Sequence, residues 1–116
     1  MPSVEATPQE ITPQEVKRRL DAGEPLQLID CREPHEFALA RIEGGELIPM
    51  RAIAAELPQL QSRAAQGPLI VYCHHGMRSL RVVQWLREQG LEACQSMNGG
   101  IDAWSLQIDG SVPRYS

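Results

Sequence analysis

The apolar positions of this chain fall into short blocks that alternate between strand-like and helix-like spacing. Leu69-Ile70-Val71-Tyr72-Cys73 is the clearest block. It is continuous, apolar and β-branched, as expected of a strand covered on both faces. Leu26 to Cys31 reads as a second buried strand, Glu46 to Met50 as a short one closed by Pro49, and Glu92 to Met97 as a further one. Helical spacing fills the intervals. Thr12 is placed to cap a first helix, with Pro13 at its first position, Glu15 completing a capping box, and Gly23 ending it. Val16 and Leu20 share one face of that helix. Pro34 opens a second helix. Arg51 to Gln66 reads as a third, with Ile53, Leu57, Leu60 and Ala64 roughly in phase and Pro58 breaking or kinking it. Ser79 to Gln89 turns Val82, Val83 and Leu86 inward, and Asn98-Gly99-Gly100 leads into a last helical segment with Ile101 and Trp104. Strand and helix alternate throughout, so the pattern predicts a single three-layer α/β/α domain around a mostly parallel sheet of about five strands.

Length agrees with that reading: 116 residues suit one domain with a core that needs no metal or disulfide. Residues 1–8, polar and carrying Pro2 and Pro8, read as a loose leader, with the folded domain spanning 9–116. The formal net charge of −4 argues against nucleic acid or an anionic membrane as partner. No apolar run has the length to span a bilayer. The 3 cysteines, Cys31, Cys73 and Cys94, are odd in number and widely spaced, which suits neither a disulfide framework nor a zinc site. No metal or cofactor is expected. A reducing, cytoplasmic setting fits such cysteine usage.

The candidate chemistry lies in Val71-Tyr72-Cys73-His74-His75-Gly76-Met77-Arg78-Ser79. A cysteine ends a central strand, and a helix begins just beyond it. Open α/β sheets bind ligands at the carboxyl ends of their strands. A helix N-terminus offers unpaired N–H groups and about half a positive charge. A short loop between the two must curl, and its amides then converge into an anion-binding nest with the Cys73 thiol at its floor. Gly76 permits the backbone conformation this curl requires. Such surroundings lower a thiol pKa and expose the nucleophilic thiolate. Backbone donors then carry the chemistry, with no need of a general base. His74 and His75 read either as solvated loop residues or as donors shaping substrate entry. Met77 belongs to the same substrate-facing loop. Arg78 reads as the group that binds the oxyanion end of a substrate, and Ser79 as a helix-start residue within reach of the sulfur.

Cys73-His74-His75-Gly76-Met77-Arg78 resembles the active loop of the rhodanese family. Leu28 to Phe37 is similar to that family's strand, Asp-x-Arg and Glu-x-x-Glu-Phe segment. Asn98-Gly99-Gly100-Ile101-Asp102-Ala103-Trp104 is similar to its terminal Gly-Gly-x-x-x-Trp turn and helix. Ala40 to Gly45 stands where the family usually shows Gly-His-Ile-Pro-Gly-Ala. The resemblance implies a ping-pong sulfurtransferase: a sulfane sulfur passes from a small anionic donor such as thiosulfate to Cys73, then to cyanide or a thiol, with a sulfur-accepting protein as a further partner class. It also implies support roles for Asp30 and Arg32 in fixing the neighbouring loops; from the residues themselves the preferred reading of the two is an ordinary structural ion pair.

A cysteine phosphatase or arsenate reductase is the nearest rival, since phosphate also suits a nest above a thiolate. Tyrosine-phosphatase-like loops place five residues between cysteine and arginine, whereas only four separate Cys73 from Arg78. A non-enzymatic sulfur-carrier or interaction module is the second rival, and the intact Cys73 argues against it. A third reading gives Cys31, at the end of its own strand, the role of resolving an oxidised Cys73, although a buried structural role is the simpler and preferred reading of that residue.

Overall fold

The computed structural model describes residues 7–116. Five strands form one parallel sheet in the order β1-β5-β4-β2-β3: β1 (Glu10–Ile11), β2 (Gln27–Asp30), β3 (Glu46–Leu47), β4 (Leu69–Tyr72) and β5 (Gln95–Met97). Four helices connect them, α1 (Pro13–Asp21), α2 (Pro34–Leu39), α3 (Leu57–Ala64) and α4 (Met77–Glu88), and α5 (Gly100–Gln107) follows β5. The expected α/β class and parallel sheet are therefore found.

Side-chain alternation along the central strands separates two cores. Ile29, Cys31, Leu69, Val71 and Cys73 face Leu60 of α3 and Val82, Val83 and Leu86 of α4. Leu28, Ile70 and Tyr72 face Val16 of α1 and Ile101 and Trp104 of α5. All four residues of β4 are buried, and each such apolar side chain contributes roughly 1.5–3 kcal/mol. The registers Asp30↔Tyr72 and Val71↔Ser96 bring the ends of β2, β4 and β5 to one edge.

Several local expectations change. Thr12 caps α1 through a 3.1 Å bond from the Glu15 N–H, but the Glu15 carboxylate does not reach back to complete a box. It pairs instead with Arg18, at 2.8 and 2.6 Å, because a two-pronged charged bond is stronger than a single bond to a backbone amide. The box forms at α2, where Glu36 accepts from the Glu33 N–H at 3.1 Å. Residues 51–66 are not one helix: a 3-10 turn at Met50–Ala52 precedes α3, and Pro58 sits in the first turn of α3, where no N–H is needed. The strand β1 carries no two-residue-period signal and is held by pairing with β5. Most of the expected leader, residues 1–6, lies outside the described residues. The carbonyls of Thr7 and Pro8 accept from Arg87 at 2.7 and 2.8 Å.

Candidate active site

Cys73 follows β4 directly, and α4 begins at Met77, two residues earlier than the apolar spacing alone suggests. The Cys73 Sγ accepts from the Gly76 N–H at 3.1 Å and from the Ser79 N–H at 3.4 Å, which gives two amides at the start of the helix an acceptor. Gly76 occupies the N-cap position with φ 105°, a left-handed conformation that glycine adopts without strain. Across the turn that precedes α5, Gly100 brings its backbone under the loop. The N–H of Ile101 bonds the Cys73 carbonyl at 2.8 Å, and the Asp102 N–H bonds the His74 carbonyl at 3.1 Å. A Cβ at Gly100 would lie 2.4 Å from both carbonyl oxygens, so only glycine fits there.

The Ser79 hydroxyl lies 3.4 Å from the sulfur and 2.7 Å from Ser96 Oγ on β5. Cys31 flanks Cys73 on the opposite side, at the end of β2. The Cys31 thiol, followed by the Ser79 hydroxyl and the two main-chain N–H groups, holds the Cys73 thiol well below its ordinary pKa, against the opposing effect of burial. The neighbouring Cys73 sulfur and burial push the Cys31 thiol up. The two groups thus divide one proton and one charge, with the charge on Cys73, where both amides point. Cys94 precedes β5, at the far end of the strands; burial raises its pKa, and its Sγ lies 3.8 Å from the Val83 carbonyl.

Of the remaining loop residues, Met77 and His75 are exposed at the rim, and Ser79 and Gly76 are buried. His74 stacks between the rings of His75 and Tyr115, both at 3.9 Å between centroids. Burial, and then the neighbouring His75, lower the His74 pKa and favour the neutral ring. Arg78 sits in the first turn of α4, but its guanidinium is not free: it donates to both Glu36 oxygens, at 2.7 and 2.9 Å. The Arg78 bond chiefly holds the Glu36 carboxyl well below the usual carboxylate range. Glu36 also accepts from the Tyr115 hydroxyl at 2.7 Å.

Asp30 and Arg32 form a fully buried pair, with Arg32 Nε 2.9 Å from Oδ1 and Nη2 2.6 Å from Oδ2. Arg32 extends further, donating to the Ala40 carbonyl at 2.6 Å and to the Tyr115 hydroxyl at 2.8 Å. The pair thereby ties the segment after α2 to the C-terminal residues. Glu36, Ser96 and Tyr115 were not singled out as site residues in the sequence. Glu36 falls inside a motif quoted above, while a serine in a strand and a tyrosine beyond the last helix give no periodic signal. His74, His75 and Asp102 bring nitrogen and oxygen atoms within 4.8 Å of one another. Arg114 already holds the Asp102 carboxylate, at 2.8 Å.

Residues 12–107 match the rhodanese-like domain. The chain belongs to the rhodanese-like family. This rhodanese-like domain is 38% identical over 120 residues to adenylyltransferase and sulfurtransferase MOCS3-1 of Zea mays, covering 98% of the chain and 26% of that protein. It thus spans about a quarter of the length of that relative. It is 32% identical over 91 residues to thiosulfate sulfurtransferase GlpE of Pseudoalteromonas translucida, covering 78% of the chain and 84% of that protein. Among solved structures, a rhodanese-like domain protein from Staphylococcus aureus superposes with a TM-score of 0.71 at 30% identity, covering 94% of this chain and 100% of that one. No helix among the described residues is long and apolar enough to cross a membrane.

Proposed function

We propose that this rhodanese-like domain is a sulfurtransferase that carries a sulfane sulfur as a persulfide on Cys73. The observation that supports it most strongly is a buried cysteine sulfur at a strand end that accepts from the Gly76 and Ser79 N–H groups at the start of α4. The relative named thiosulfate sulfurtransferase supports thiosulfate as the donor class. The Cys73 thiolate attacks the sulfane sulfur, the sulfur–sulfur bond of thiosulfate breaks, and sulfite leaves with the electron pair. A nucleophilic acceptor, cyanide or a thiol, then attacks the outer sulfur and returns the Cys73 thiolate. A sulfur-accepting protein is a further acceptor class, in line with the longer relatives that join adenylyltransferase and sulfurtransferase activities in one name.

The loop serves this reaction without a general base. The first-turn N–H groups of Met77 and Arg78 have no intrahelical acceptor and are available to the added sulfur. Glu36 holds the Arg78 guanidinium in place at the start of α4 through two bonds, at 2.7 and 2.9 Å. The compact loop suits a single sulfur atom better than a tetrahedral phosphate. Intact mass after thiosulfate treatment tests the proposal. A gain of one sulfur atom in the wild type and none in Cys73→Ser is expected. Phosphatase activity on a phosphotyrosine analogue, with no sulfur gain, would overturn it.

A further inference from the structure

Cys31 is a buried thiol beside the nucleophile whose sulfur forms no bond in the transfer cycle. Asp30 and Tyr72 are register partners, and the Cys31 N–H bonds the Tyr72 carbonyl at 3.0 Å. Cys31 and Cys73 are therefore the next pair along two adjacent parallel strands. Both side chains point to the same sheet face and pack in the same core cluster. Adjacent strands lie about 4.7–4.9 Å apart. Disulfides form across Cα separations of roughly 4.4–6.8 Å, so this pair can close without moving the sheet. Their surroundings leave them few other partners. Cys31 is wholly buried and Cys73 is 1% exposed, so no external thiol reaches the side of Cys73 that Cys31 occupies. The Ser79–Ser96 pair fills the opposite flank.

We propose that Cys31 discharges the Cys73 persulfide when no acceptor arrives, releasing sulfide and leaving a Cys31–Cys73 disulfide. The inference rests on the persulfide reading above. Cys31 sulfur attacks Cys73 Sγ, the inner sulfur; the bond to the outer sulfur breaks, and that sulfur leaves with the electron pair. The Cys31 proton goes with it, giving HS⁻. Two thiol sulfurs are oxidised to a disulfide, and one sulfane sulfur is reduced to sulfide, so atoms and electrons balance without an added oxidant. An acceptor attacks the outer sulfur from the mouth of the nest, whereas Cys31 attacks the inner sulfur from the β2 side. The two fates use different atoms and compete by time alone. A dithiol reductant, through ordinary thiol–disulfide exchange, reopens the bond and restores the nucleophile.

The test loads the full chain with thiosulfate, removes the donor by gel filtration under argon, and follows intact mass without reductant while sulfide is assayed. Cys31→Ser keeps a hydroxyl donor beside Cys73 but cannot form the bond, and Cys31→Ala guards against an effect of the hydroxyl. Wild type should gain one sulfur, then lose it together with two hydrogens, as one sulfide per chain appears. Peptide mapping should find the Cys31–Cys73 link. Both variants should retain the added sulfur. A wild-type persulfide that persists as long as in the variants, with no linked peptide, overturns this inference and leaves sulfur transfer intact. Failure of every protein to load overturns the sulfurtransferase reading itself.

Discussion

Ser79→Ala should raise the Cys73 pKa by about one unit in a domain that still folds. Once ionised, the sulfur has four donors around it: the Cys31 thiol, the Gly76 N–H at 3.1 Å, the Ser79 N–H at 3.4 Å and the Ser79 hydroxyl, which lies 3.4 Å away. The substitution removes only the last. A hydrogen bond to a charged group contributes roughly 1.5–3 kcal/mol, and one pKa unit corresponds to about 1.36 kcal/mol. The diffuse charge of sulfur and the 3.4 Å length place this bond at the low end of that range. Ser96 Oγ also loses its 2.7 Å partner in a buried site, which should cost about 1–3 kcal/mol of stability. The assay is the initial rate of alkylation by iodoacetamide against pH, with Cys73→Ser as the blank. Cys31 and Cys94 are both pushed up and should not titrate at acid or neutral pH. The wild-type midpoint should fall below the ordinary thiol value of about 8.5, and the variant's midpoint should lie above the wild type's. Equal midpoints in a variant with native circular dichroism would refute the view that these donors set the charge on Cys73.

Gly100→Ala should destabilise the domain by about 2 kcal/mol or more and slow Cys73 alkylation, because the new methyl meets the Cys73 and His74 carbonyls at 2.4 Å and glycine's φ of +62° is lost. Thermal denaturation checks the first effect; an unchanged melting temperature would mean the loop moves freely aside. Glu36→Gln tests the Arg78 clasp through pH. The Glu36 carboxyl is depressed in the folded chain, so its stabilisation is complete above its unfolded pKa of about 4.3 and fades as pH falls towards the lower folded value. The gap in urea midpoint between wild type and variant should stay constant above about pH 5 and narrow steadily as pH falls below about 4. A gap independent of pH would show that Glu36 acts by packing and not by charge.

The parts legible in the sequence are those whose cause is local. Leu69 to Tyr72 announces a strand because four consecutive apolar residues satisfy both sheet faces, and Thr12-Pro13 announces a helix start because cap and first position are adjacent. Cys73 stood out because a thiol, a glycine and a basic residue are compressed between a strand and a helix. What stayed hidden depends on distant partners. Glu10–Ile11 becomes a strand only by pairing with Ser96 and Met97. Ser96, polar and unremarkable in the chain, is fully buried because the Ser79 hydroxyl meets it there. Arg78 looked like a free cation until Glu36, 42 positions earlier, closed on it. Glu15 shows the limit of local motifs: the capping-box spacing was present, yet Arg18 one turn later took its carboxylate.

The sulfur of Cys73 is also the end-stop of α4, and this ties the reagent to the scaffold. On the proposed cycle, each loading and unloading changes the charge on the sulfur that the Gly76 and Ser79 amides meet at the start of a twelve-residue helix. Amide exchange at Gly76 and Ser79 should therefore report the chemical state of the nucleophile directly. A serine in its place is not a silent knockout either, for it resets the helix terminus as well as removing the chemistry.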